Sequence, residues 1–164
     1  MPSRNRDGGL TCVASETILK GQRVTPVTTT VSGDTSGKMV VALRDDAHGS
    51  AEPWGEWLPF MGTAASDANV GDIIPVTPIH FGACDVLVDI PAAWSHNLVT
   101  GTWLYTQAGS ANFSVAGTWD ASDRQVPVGV ITTTGVNVAP SASAVTTVLL
   151  KGFISRWLWD KVYV

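Results

Sequence analysis

Residues able to do covalent or metal chemistry are few and scattered along this chain. Ser95 and His96 offer a nucleophile beside a base. Adjacent residues on one chain point away from each other, however, and no acid can be assigned to orient the imidazole. Asp45, Asp46 and His48 could donate ligands, but a divalent metal needs three or more protein groups in defined geometry, and His80 and His96 have no spacing relation to them. They read as a solvated loop. Gly33-Asp-Thr-Ser-Gly-Lys38 is one residue short of a phosphate loop, and Met39 stands where a magnesium-holding hydroxyl would be, so it reads as a turn. Trp54 and Trp57, with Asp45 and Glu52 nearby, could stack a sugar ring, although interfaces and sandwich cores use Trp just as freely. Cys12 and Cys84 are the only cysteines. They exclude a disulfide framework and a Cys-based zinc site; a single pairing stays open beside the favoured reading of buried free thiols. No catalytic, cofactor-binding or metal-ligating residue is assigned.

The elements that would position any site are strands. Between Val99 and Gly152 four segments carry strand character: Thr102–Thr106, Asn112–Val115, Gln125–Ile131 and Val145–Leu150. Each is bounded by Gly, Ser, Asn or Asp and filled with β-branched and aromatic residues. In the third, the two-residue period puts Val126, Val128 and Val130 on a core face and Gln125, Pro127 and Gly129 opposite. Pro127 and Gly129 predict an edge strand or a bulge. Cys84-Asp-Val-Leu-Val-Asp-Ile90 alternates with Cys84, Val86, Val88 and Ile90 on one face. The predicted fold is all-β, a small antiparallel β-barrel or sandwich with long loops.

Reading from the start, Met1–Gly9 is polar, Gly-rich and basic through Arg4 and Arg6, and predicts a mobile arm. Residues 10–152 form the β-rich body, in which Pro26 predicts an edge, Met39–Leu43 a short buried run, and Glu56–Gly62 a strand interrupted by Pro59. Arg44–Glu56 is the longest polar piece. Lys20-Gly-Gln-Arg-Val, Val70-Gly-Asp-Ile-Ile and Thr100-Gly-Thr-Trp-Leu each place a Gly just ahead of a strand, an internal echo that is either repeated turn chemistry or a true duplication. Pro91–Asn97 is the best candidate for a short helix. Residues 153–164, with Trp157, Trp159, Val162 and Val164, concentrate apolar surface at a terminus; such a segment closes its own barrel or crosses to a neighbour.

Composition narrows the function classes. At 164 residues the chain suits one domain and can bury about 70% of its unfolded surface. Charged residues are 15%, against roughly 25% in an average domain, so Ser, Thr, Gly and Ala must cover much of the exterior. Such an exterior is a candidate contact face for another protein. A net charge of −4 argues against nucleic acid, which requires a basic stripe. No run reaches the roughly 18 apolar residues of a membrane span, and the N-terminus lacks the apolar centre of a signal peptide, which predicts a product made in the cytoplasm.

The order Lys20-Gly-Gln-Arg-Val, Val40-Val-Ala-Leu-Arg-Asp-Asp-Ala47, Val70-Gly-Asp-Ile-Ile-Pro-Val76, Val99-Thr-Gly-Thr-Trp-Leu-Tyr105, Val126-Pro-Val-Gly-Val-Ile131 and Thr146-Thr-Val-Leu-Leu-Lys151 resembles the capsid decoration, or cement, proteins of tailed bacteriophages. The resemblance covers roughly residues 16 to 151. The chain departs in having Gly-Thr-Trp where that family has Gly-Asp-x-Val, and in its Trp-rich tail. What the resemblance implies is a non-enzymatic virion protein on the outer capsid surface, bound to the major capsid protein, assembled as a homotrimer, and needing no cofactor, nucleic acid or membrane. The partner-contact candidates are Arg4, Arg6, Trp54, Trp57, Arg156, Trp157, Trp159 and Tyr163. The alternative is a carbohydrate-binding β-sandwich module of a head or tail fibre, using Trp54, Trp57, Trp94 and Trp119; a hydrolase using Ser95 and His96 is the third reading.

Overall fold

A computed structural model describes residues 9–44, 60–79, 81–92, 94, 98–107, 109–115, 127–133 and 143–155. Short runs of β-branched residues between glycine turns give ten strands, and no helix occurs among the described residues. They are β1 (Leu10–Ala14), β2 (Arg23–Pro26), β3 (Met39–Leu43), β4 (Gly62–Ala64), β5 (Ile73–Pro78), β6 (Ala83–Ile90), β7 (Trp103–Gln107), β8 (Ser110–Ser114), β9 (Pro127–Ile131) and β10 (Thr146–Ile154).

The strands close into two barrels in chain order. The first runs β1, β3, β2, β4, β5 and back to β1; the second runs β6, β8, β7, β9, β10 and back to β6. Each ring has one parallel pair, β1 with β3 and β6 with β8, and the rest is antiparallel. Replacing each strand of the first ring by the strand five places later reproduces the second, including the sense of every pairing. Full closure leaves neither barrel a free strand edge.

The internal echo is therefore a duplication as well as turn chemistry. Gly21 donates its N–H to Ala64 and Gly101 donates to Ile131, while Ala64 and Ile131 donate back to Gln22 and Thr102. Leu19–Gln22, Asn69–Asp72 and Val99–Thr102 each close a turn through the backbone N–H of the fourth residue. In each, that residue's side chain accepts from the N–H of the first. The third position is Gly21, Gly71 or Gly101, at φ 85°, 86° and 92°. Type II geometry demands that left-handed backbone, and Gly adopts it without a Cβ penalty.

Each barrel has its own core. Cys12, Ala14, Ile18, Val24, Val41, Ile74 and Val76 fill the first, and Cys84, Val86, Val88, Ile90, Leu104, Phe113 and Ile131 the second. Residues 10–152, predicted as one β-rich body, thus hold two hydrophobic centres, and the body continues through Ile154, which packs in the second core. Strand β6 alternates as predicted, with Cys84, Val86, Val88 and Ile90 buried.

Strand β9 departs from its predicted faces. Val130 points outward beside Trp103 and Phe153, while Gly129, Ile131 and Val128 turn inward. The cause is the predicted bulge: pairing with β7 slips between Leu104 and Tyr105, so Val128 is an extra residue and the two-residue period resets. The edge alternative fails, because β9 is paired on both sides. Pro26 also lies in a closed ring, but its β4 side is unpaired because that ladder reaches only Arg23 and Val24. Strand β4 starts at Gly62, where the predicted Glu56–Gly62 strand ends; residues 45–59 lie outside the described residues. Gly33–Lys38 is a turn, with Asp34 accepting from Ser36 N–H and Ser36 Oγ from Lys38 N–H. Of the predicted helix Pro91–Asn97, Pro91, Ala92 and Trp94 are described and form a turn; the rest lies outside.

Candidate functional site

Every predicted partner-contact residue, Arg4, Arg6, Trp54, Trp57, Arg156, Trp157, Trp159 and Tyr163, lies outside the described residues, as do Asp45, Asp46, His48, His80, Ser95, His96 and Trp119. Trp94 is described: it packs half-buried against the second core. Among the described residues no three His, Cys, Asp or Glu side chains group as a metal site, and no helix is long and apolar enough to cross a membrane.

Two features emerge instead. The first is the barrel junction, built around Arg23, the first residue of β2. Arg23 is fully buried. Its guanidinium lies 5.8 Å from the Phe60 ring centroid and 5.9 Å from that of Phe113, two rings themselves packed edge to face at 5.6 Å. Its Nη2 donates to the carbonyl oxygens of Gln107, at 3.1 Å, and Ser110, at the turn between β7 and β8. A charge from the first barrel is thereby held by carbonyls and ring faces of the second, the kind of environment that suits a weakly hydrated, planar cation. Phe60, just ahead of β4, completes the second core, so the two barrels share a wall.

Polar contacts extend that wall. Gln22 donates to Asn112, Asn112 and Gln107 donate to Asp89, and Thr147 adds a third donor to the same carboxylate, at 2.9, 2.9, 2.7 and 2.7 Å. Asp85 pairs with Lys151 at 2.6 Å and with Lys20 of the first barrel at 3.6 Å. With both lysines solvent-exposed, such pairs contribute at most about 1 kcal/mol each. The tighter restraint is steric. The Gly21 carbonyl oxygen accepts from the N–H of Leu87, and a Cβ on Gly21 would fall 2.5 Å from that nitrogen.

The second feature is an apolar row on the outer face of the second barrel. Trp103 pairs with Val130, Val130 with Phe153 and Phe153 with Ala83, so one residue from each of β7, β9, β10 and β6 stands in line. Directly opposed residues on neighbouring strands lie about 5 Å apart at Cβ, which makes the row continuous. Trp103 is 46% exposed and Phe153 37%; Phe81, two residues before Ala83, is 55% exposed. Tyr105 flanks the row on β7, and the Lys151–Asp85 pair flanks it on β10 and β6, next to a shallow groove lined by Thr133, Val148 and Leu149.

No family model matches the chain. No curated protein matches it either. Among solved structures, the N base of the head fiber protein gp8.5 of bacteriophage phi29 is similar at a TM-score of 0.48 and 13% identity, over 90% of this chain and 93% of that one.

Cys12 and Cys84 are both buried and both free, one in each core. Cys84 donates weakly to the Gly152 carbonyl oxygen at 3.5 Å. Burial pushes both thiols up from the usual value, and for Cys84 the neighbouring Thr63 hydroxyl only partly opposes it. A thiol whose pKa rises on folding favours the fold below its unfolded value, and this advantage is lost as pH rises through the folded one. Native protein is therefore expected to react with a disulfide reagent at pH 8 at least about tenfold more slowly than urea-unfolded protein, since only thiolate attacks. Equal rates would place the thiols at the surface.

Proposed function

We propose that this chain is a structural protein of a tailed-phage virion that binds the outer capsid surface as a homotrimer and clamps neighbouring major capsid subunits. The observation that carries this reading is a chain with only 15% charged residues whose described surface exposes apolar side chains such as Leu19, Val70 and Ile73. Motif order supports it as well: the segments that resemble cement proteins overlap, in their described residues, with β2, β3, β5, β7, β9 and β10. Closed barrels have no edge strand to lend to a partner, so adhesion falls to side chains on outer faces and to loops. A stable contact buries about 1,200 to 2,000 Å². A molecule touching two capsid subunits also gains from effective concentration, because the second contact forms within an already tethered pair.

Cosedimentation with purified mature capsids tests the reading. Saturable binding at micromolar concentration or tighter is expected; failure to bind its own phage's capsids well above micromolar refutes it.

A further inference from the structure

From the duplication we infer that the outer row of the second barrel, Trp103, Val130, Phe153 and Ala83, buries against a second copy of this chain. The two barrels align residue by residue through their hydrogen bonds. Gly21 corresponds to Gly101, Gln22 to Thr102 and Ala64 to Ile131. Arg23 then corresponds to Trp103, Thr63 to Val130 and Thr77 to Phe153, and the cross-strand register repeats accordingly: Arg23 faces Thr63 and Thr63 faces Thr77, as Trp103 faces Val130 and Val130 faces Phe153.

In the first barrel this surface is already an interface. Arg23 and Thr63 are 0% and 1% exposed, covered where the second barrel meets them. In the second barrel the same surface is open, and it is the more apolar of the two. What covers it in the first barrel is a barrel of this fold. Within one chain the first barrel is already engaged through its own Arg23 row, so the barrel available to the Trp103 row belongs to another copy. Charge points the same way: copies at −4 repel through their polar faces, and the row carries no ionisable side chain. The row's two rings, Trp103 and Phe153, together with exposed Phe81 beside Ala83, each of roughly 200 Å², supply about 300 Å² of apolar contact, enough for the dry centre of an interface with Tyr105, Lys151 and Asp85 as rim.

This inference does not rest on capsid binding and is tested without capsids. Sedimentation velocity of the full chain over a wide concentration series is expected to show reversible self-association. Trp103→Glu and Phe153→Glu are expected to weaken it at least about 30-fold while leaving circular dichroism and melting unchanged, because both side chains point out of the core. Should either fail to fold, Val130→Thr, which installs the residue found at the equivalent Thr63, serves in its place. Val145→Glu, exposed elsewhere, is expected to change nothing. Four outcomes overturn the inference: a wild type that stays monomeric, association that survives both row substitutions, association abolished by deleting residues 156–164 but not by row changes, or row changes that remove only capsid binding from a monomer.

Discussion

Replacing Arg23 with alanine is expected to cost about 4 kcal/mol of folding free energy, the largest effect of any single side-chain truncation among the described residues. Two charge-assisted hydrogen bonds to the part-buried Gln107 and Ser110 carbonyls disappear, at roughly 1.5 to 3 kcal/mol each. Cation–π contact with Phe60 and Phe113 adds about 1 to 2 kcal/mol in a desolvated setting. Opposing these losses, the unfolded or loosened protein no longer has to dehydrate a guanidinium, which returns several kcal/mol. The hydrogen bonds and the emptied volume outweigh that return, because two carbonyls and two rings are left facing a void. At about 2 to 4 °C per kcal/mol for a chain of this size, the melting temperature should fall by about 10 °C. Arg23→Lys should recover less than half, since an ammonium that reached both carbonyls would still lack the planar, weakly hydrated face that lies against both rings. Urea titration followed by circular dichroism measures this; a loss below about 1 kcal/mol would mean that Arg23 does not hold the barrels together.

Gly62→Ala and Gly129→Ala are expected to behave as a matched pair, each costing about 3 kcal/mol, because the duplication puts both at one structural position. A Cβ at Gly62 would lie 2.2 Å from the Thr77 carbonyl oxygen, and one at Gly129 would lie 2.4 Å from that of Phe153. Both obstacles are backbone of the neighbouring strand, so no rotamer change relieves them and the ladder itself must open. Gly33 provides the contrast. It sits at φ 82° with nothing within 4 Å of its would-be Cβ, and alanine there should cost only about 1 kcal/mol of left-handed strain. Thermal melts of the three variants separate the cases. If Gly62→Ala and Gly129→Ala melt near wild type, the two close approaches are not those described.

Much of the strand content was legible because it depends on short-range rules. The alternation of Cys84 to Ile90 reports burial directly, and Gly21, Gly71 and Gly101 mark turns whose backbone only glycine adopts easily. Closure into two rings was not legible, since it depends on pairings such as β1 with β3 and β6 with β8 that join residues far apart in sequence. The echo hinted at duplication, yet corresponding residues differ as sharply as Arg23 and Trp103, because one surface was buried against a neighbour and the other left open. Arg23 itself gave no signal: a lone basic residue near a turn reads as solvated, and only the packing of Phe60 and Phe113 around it makes it a junction. Val130 was assigned inward because one extra residue at Val128 reverses the parity of a strand, which a periodicity cannot anticipate. The apolar row was hidden because its members are drawn from four strands that no local pattern connects.

The proposed function is adhesion, a charge-poor molecule joining neighbouring capsid subunits. Its most direct measurement is the temperature at which DNA-filled heads stripped of this protein release their DNA, followed by dye fluorescence with and without the protein restored to saturation. A higher release temperature in decorated heads is the predicted result, while unchanged release from heads shown to be fully decorated would contradict it.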